Sequence, residues 1–137
     1  MQSEIGFLEH AHTADWELEV WAPNLPTLLE QAAHGMYTIS GVQLLPGNVQ
    51  DHTINLQAAD AESLLVRFLS ELLWIEQDQH LAFDHISIHI DENYYLNARL
   101  SGSIIAQIDK EIKAVTYHNL DVKSTSGGLR VNIVFDV

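Results

Sequence analysis

The chain reads as an α+β fold, with two helices packed on a mixed or antiparallel β-sheet sandwich inside one domain covering residues 1–137. Three observations predict this. Two segments repeat apolar residues at gaps of three and four, the mark of a helix with one buried face. About seven others alternate apolar and polar residues, the period of a half-buried strand. The length of 137 residues with 47% apolar content suits a single core.

Glu4–His10 and Asp15–Trp21 read as the first two strands, joined by a histidine-rich turn. In the second, Trp16, Leu18 and Val20 alternate with Glu17, Glu19 and Trp21. The first helix is expected from Leu25 to Tyr37, where Leu25, Leu28, Leu29, Ala32, Ala33 and Met36 share a stripe. Asn24 is its N-cap, and Pro26 sits in the first turn, where a missing N–H costs little. Gly35 and Gly41 are expected to mark its fraying end and the turn beyond. His52–Ala58 places Ile54, Leu56 and Ala58 on one face of a strand. The second helix begins at an Asp60 cap, with Glu62 near the positive end of the helix dipole. Leu64, Leu65, Phe68, Leu69, Leu72 and Leu73 form its wide apolar stripe, Trp74 and Ile75 extend it, and Arg67, Glu71 and Glu76 are expected off it. His85–Asp91 turns Ile86, Ile88 and Ile90 inward and pairs with Tyr94–Ile105 through an Asp91-Glu92-Asn93 turn. Lys113–Lys123 reads as the next strand. Ser126-Gly127-Gly128 then leads into the last strand, Leu129–Val137, with Val131, Ile133 and Phe135 on one face and Arg130, Asn132, Val134 and Asp136 on the other.

Composition narrows the chemistry. The absence of cysteine removes disulfides, zinc–thiolate sites and thiol nucleophiles, and fits a reducing cytoplasm. Nineteen acids against six bases give a net charge of −13, which repels polyphosphate, so strong direct nucleic-acid binding is not expected. Such charge serves solubility, a docking surface for a basic partner, or a cation site. No apolar run approaches the roughly 18 residues that span a membrane. Met1-Gln2-Ser3-Glu4 lacks the basic-then-apolar pattern of a secretory signal. There is no Ser/His/Asp elbow, no Gly-rich phosphate loop and no Walker lysine.

Three segments carry candidate chemistry. In His10-Ala11-His12-Thr13-Ala14-Asp15, an extended backbone puts His10 and His12 on one face, as two metal ligands require. A hydrolase built on His10, His12 and Asp15 would need further ligands, and His80, His85, His89 and His118 are scattered. The alternative is a structural turn in which Thr13 and Asp15 bond local backbone. At the other end, the strand alternates cleanly to Val137, so Asp136 and the carboxylate closing the sequence are expected at a sheet edge. Oxygen donors of this kind suit hard ions such as Ca²⁺ or Mg²⁺ better than zinc; a divalent cation is expected, Ca²⁺ first, with Mg²⁺ or Mn²⁺ as alternatives. In Lys110–Leu120, Lys113, Tyr117 and His118 are candidates for acid–base chemistry or partner contact; the plain alternative is an edge strand with solvated charges.

Taken together, the segments resemble the archease family. The resemblance rests on Leu8-Glu9-His10-Ala11-His12-Thr13-Ala14-Asp15, on the helix Leu28-Leu29-Glu30-Gln31-Ala32-Ala33-His34-Gly35-Met36, on Glu62–Leu65 through Glu71–Leu73, on Glu111-Ile112-Lys113-Ala114-Val115-Thr116-Tyr117-His118, and on the Asp-aliphatic end. It covers essentially the whole sequence in order. It implies a protein cofactor and not a free-standing enzyme. Archeases assist the RtcB-type tRNA-splicing RNA ligase, which uses GTP and a divalent metal, by promoting guanylylation of the ligase and its repeated turnover. The resemblance carries metal binding onto Asp15, Asp136 and Val137, the last through its terminal carboxylate, with His12, Lys113, Tyr117 and His118 in supporting or partner-contact roles. General chaperone and methyltransferase-modulator roles have also been attached to the family. Two departures stand out: an extra His10-Ala11 step before His12, and a short Gln107–Lys110 run where many relatives carry a longer loop.

Overall fold

A computed structural model describes residues 4–11 and 15–137, with side chains throughout that range except at Ala11 and Asp15. Element order is β1 (Gly6–Ala11), β2 (Asp15–Ala22), α1 (Leu25–Ser40), β3 (Gln43–Leu44), β4 (Gln50–Gln57), α2 (Ala61–Gln79), β5 (Leu81–Ile90), β6 (Tyr95–Gln107), β7 (Ala114–Val115), β8 (Lys123–Thr125) and β9 (Gly128–Asp136). This is the expected α+β class, and every pairing among the described strands is antiparallel.

The strands form two sheets. In the first, β2 lies between β1 and β9, and the far edge of β9 is shared by β7 and β8. In the second, β6 lies between β5 on one side and β3 and β4 on the other. Both helices touch both sheets: α1 packs on β1, β2 and β9 and on β5, and α2 packs on β4, β5 and β7. Helices used by two sheets at once need wide apolar stripes, and Leu28, Leu29, Ala32, Leu64, Leu65, Phe68, Leu69 and Leu72 are fully buried. The sheet side of the core is supplied by alternate residues, including Leu18, Val20, Val131, Ile133 and Phe135.

The helix starts follow local chemistry. Asn24 accepts from the Thr27 N–H at 3.0 Å and Asp60 from the Ser63 N–H at 2.8 Å, each satisfying a donor that the first turn leaves unpaired. Gly41 ends α1 in a left-handed conformation at φ 71°, where its N–H bonds the Thr38 carbonyl.

Several expectations are corrected. Helix α1 runs on to Ser40, and Gly35 lies buried inside it instead of at a fraying end. A Cβ there would stand 2.7 Å from Leu18 Cδ2 and 2.9 Å from Phe7 Cγ, so this glycine lets α1 approach the first sheet. In α2, Trp74 is exposed and Glu76 is only 5% exposed, the reverse of expectation. Helical spacing explains both: Glu76 stands four and seven residues after Leu72 and Leu69, on their stripe, whereas Trp74 follows exposed Arg67 by seven. The Lys113–Lys123 strand is broken into β7 and β8. Between them Asn119 adopts φ 51° and the chain turns, with Leu120 and Val122 packing on the core and the Val122 N–H donating to Glu62 Oε2 at 2.8 Å. Partial burial of those two apolar side chains on the core, with the Glu62 contact, outweighs continuation of a ladder on β9.

Candidate functional site

Strands β2 and β9 pair antiparallel from Asp15↔Asp136 to Ala22↔Leu129. The two acidic positions singled out at opposite ends of the sequence are therefore direct register partners. Their neighbours Trp16 and Phe135 are also partners, and Phe135 is fully buried, so alternation sets Asp136 on the face away from the core. Asp136 is exposed. On its other side it is paired with Ala114 of β7, and its backbone carbonyl accepts the Lys113 N–H at 2.8 Å. That carbonyl is thus committed to the ladder, leaving the side-chain carboxylate as the donor Asp136 can offer. Val137 is half-buried and packs against the core, so the end of the described chain is anchored.

The donor set consists of oxygens only, on a backbone frame fixed by three adjacent strands. Like charges placed directly opposite in an antiparallel pair repel unless neutralised, and an oxygen-rich cation suits that need. The residues thus fit a hard divalent ion by position and by donor type. Among the described residues no group of three or more His, Cys, Asp or Glu side chains is arranged to hold a metal; the Asp15 side chain lies outside that description.

The supporting residues fall into two groups. His12 lies outside the described residues. Lys113, Tyr117 and His118 are all exposed around the end of β7, with Tyr117 59% exposed. Thr116 shapes their turn: its N–H and its hydroxyl both donate to the Val134 carbonyl at 3.0 Å, and its Oγ1 accepts the His118 N–H at 3.2 Å. A turn that presents a tyrosine and a histidine to solvent next to the Asp136 strand suits partner contact better than enclosed acid–base chemistry.

His10 is engaged elsewhere. Its Nε2 lies 3.1 Å from Glu19 Oε1, the other Glu19 oxygen meets the Arg130 guanidinium, and Arg130 stacks 5.4 Å from the Trp21 ring centre. The His10 hydrogen bond holds the Glu19 carboxyl below its ordinary range, with Arg130 adding to it and partial burial opposing. This brace ties β1, β2 and β9 together and engages the Nε2 side of His10. Sequence spacing did not reveal it, because its members are 9 and 111 residues apart.

Sequence reasoning also missed two cavities. One, of about 610 Å³, gathers His34, His52, His85, Asp84 and Arg99. Half-burial pushes the His34 imidazole below its ordinary range, partly offset by Asp84. The other surrounds Glu76. Burial, then the nearby Glu111, pushes the Glu76 carboxyl up to about 7. Counting Glu76 onto the apolar stripe of α2 would have flagged it.

Comparisons with known proteins bear on the family and the fold. The Archease protein family profile matches residues 7–137. A Methanosarcina mazei protein archease is 30% identical over 135 residues, covering 92% of each chain, and one from Archaeoglobus fulgidus is 30% identical over 134 residues, covering 92% of this chain and 95% of its own. In fold, the chain resembles the solution structure of Methanobacterium thermoautotrophicum protein 1598, with TM-score 0.74, 22% identity and coverage of 96% and 99%. It also resembles the crystal structure of a Thermotoga maritima protein described as an archease, possible chaperone, with TM-score 0.68, 21% identity and coverage of 95% and 94%. No helix of the described residues is long and apolar enough to cross a membrane. With a family profile matching residues 7–137 and relatives 30% identical over almost its whole length, the chain belongs to the archease family.

Proposed function

We propose that this protein is a non-catalytic activator of an RtcB-type tRNA-splicing RNA ligase, acting through an acidic, cation-bearing tip built on Asp15, Asp136 and the carboxylate of Val137. The observation that carries the reading is the register pairing of Asp15 with Asp136, one residue before Val137. Family membership supports it, as does the net charge of −13, which favours a basic partner over direct contact with RNA phosphates. The ion, when bound, would supply neutralising positive charge of the kind that GTP phosphates need during transfer. The chain's own residues would do the rest. Asp15 and Asp136 orient the donors from paired strands, the Lys113 backbone holds the Asp136 strand, and Val137 is anchored by packing. Tyr117 and His118 lie exposed nearby to meet the ligase.

The test is ligase guanylylation with the activator present. Asp15→Ala and Asp136→Ala should abolish stimulation while circular dichroism shows the helices intact. Guanylylation stimulated to the wild-type level by both variants would reject the tip.

A metal-dependent hydrolase on His10, His12 and Asp15 predicts turnover by the isolated protein with added metal ion that His12→Ala eliminates, where the present reading predicts none. A chaperone role matches the wording attached to the Thermotoga maritima protein; it predicts several unrelated clients in a pull-down, where the present reading predicts an RNA ligase as the dominant one.

A further inference from the structure

The cavity beside Glu76 has a volume of about 320 Å³ and lies between the last turn of α2, the end of β6 and the loop that leads to β7. Its apolar lining comes from Ile105, Ala106 and Ile108, and its acidic groups are Glu76 and Glu111. The loop wall is preformed. The Asp109 and Lys110 N–H groups both donate to the Ser40 carbonyl, at 2.9 and 3.1 Å, and Ile112 is buried behind Glu111.

Negative charge here lacks compensation. Glu76 is 95% buried. Among the described residues, neither Glu76 nor Glu111 makes a side-chain hydrogen bond or an ion pair. Helix α2 points its negative end at the cavity through its His80 cap and carries no basic residue in its last turn. The Tyr37 hydroxyl is shut off from solvent, close enough to Glu76 to feel its charge, with the Phe83 backbone as its near polar neighbour. A carboxylate withdrawn this far from water is ordinarily paired. Among the described residues no three metal-ligating side chains converge, so a bare metal ion is poorly served.

We propose that this cavity receives a single basic side chain, arginine or lysine, from a partner protein, with the aliphatic stem along Ile105, Ala106 and Ile108 and the charged head between Glu76 and Glu111. One charged head on one apolar stem matches acidic groups set beside apolar walls. A free polyamine carries charge at intervals along its length and would leave some of it against the apolar lining. The inference stands on this cavity alone and does not depend on the ligase reading.

The probes are N-acetyl-arginine-N-methylamide and its lysine counterpart, titrated into the full chain. Nuclear magnetic resonance follows the Ile105 and Ile108 methyls and the Glu76 carboxyl carbon. Saturable shifts at all three are expected, with the Glu76 titration moving to lower pH when probe is bound, because an opposite charge favours the ionised form. Glu76→Gln and Glu111→Gln should each weaken binding about tenfold, the loss of one charge-assisted contact. Glu111 is exposed, so its variant keeps the test valid should Glu76→Gln fail to fold. Absence of saturable shifts, or undiminished binding in Glu111→Gln, would overturn the proposal. Spermidine binding more tightly than either side-chain probe would overturn the assignment to a protein partner. Calcium shifting these signals where the organic probes do not would overturn the side-chain assignment altogether.

Discussion

His10 on β1 lies opposite Glu17, yet its imidazole leans two residues along β2 to lie 3.1 Å from Glu19. Glu19 is thereby held by His10 from one edge of the sheet and by Arg130 from β9 on the other side. Its carboxyl is lowered from the ordinary value, so the brace contributes stability that is present above the usual carboxylate range and is lost as pH falls through the lowered value. Glu19→Gln should cost about 1 kcal/mol at pH 7, toward the low end because Arg130 is partly exposed. The deficit should disappear in acid, where both proteins carry a neutral group. Urea unfolding across pH checks this; an equal deficit at every pH would assign the loss to shape and not to charge.

Glu76 should behave in the opposite sense. Its folded value, raised to about 7, lies above the ordinary 4.5, so the folded state holds a proton that the unfolded chain has released. Stability is full below about 4.5, falls as pH rises from there to about 7, and is level above. The groups facing Glu76 are Glu111 from the loop, Tyr37 from α1 and His80 at the helix cap, and burial dominates over all of them. Glu76→Gln should remove the slope and stabilise the protein at pH 8 by about 2 kcal/mol, after discounting for water in the adjoining cavity. Thermal unfolding at pH 5 and pH 8 separates the outcomes: a variant no more stable than wild type at pH 8 would contradict the raised value.

Gly35→Ala pits two effects against each other. Alanine favours a helix interior by about 1 kcal/mol. Its methyl, however, would meet Leu18 and Phe7 inside van der Waals contact. Overpacking of that kind costs roughly 1–3 kcal/mol, so a net loss is expected in urea unfolding. A gain would mean that α1 can retreat from the first sheet without penalty.

At the tip, register pairing of two carboxylates predicts a cation-dependent stability. In chelator-treated buffer Asp136→Asn should unfold at a slightly higher temperature than wild type, because a directly opposed like charge is worth a few tenths to about 1 kcal/mol. With millimolar calcium the order should reverse, since only the wild type gains binding free energy. Identical melting of both proteins with and without calcium would argue against a cation at Asp15 and Asp136.

Adding a few residues after Val137 should impair ligase stimulation even though the sheet still forms, since the carboxylate would be carried away from Asp136. A C-terminally extended protein that stimulates guanylylation fully would remove Val137 from the donor set.

Sequence patterns exposed the elements whose causes are local. The Asn24 and Asp60 caps act over three residues, and the alternation of Val131, Ile133 and Phe135 reports a core face directly. The strand β3 and most of β8 were hidden for the opposite reason, and β7 was read too long: pieces of two or three residues exist only because a neighbouring strand offers unpaired backbone. The break at Asn119 depended on a core ready to take Leu120 and Val122 and on Glu62 of α2 ready to accept the Val122 N–H. At the tip, the acidic ends stood out in the sequence, but their pairing depends on a register set across the whole length of β2 and β9. The Glu19 brace and the Glu76 cavity join residues distant in sequence, and no local period encodes them.

The order in which the sheets can form follows from β9. The second sheet grows around β5 and β6, neighbours joined by a short turn at Asp91–Tyr94, and is rich in local pairings. The first sheet can be completed only when β9 returns to β2, joining residues as far apart as Asp15 and Asp136. Closing so long a loop is entropically costly, and high contact order slows folding. The β1–β2 hairpin is local and lies beside α1, so it is the β9 side of the first sheet that waits on this closure. The acidic tip thus sits at the longest loop closure among the described strand pairings.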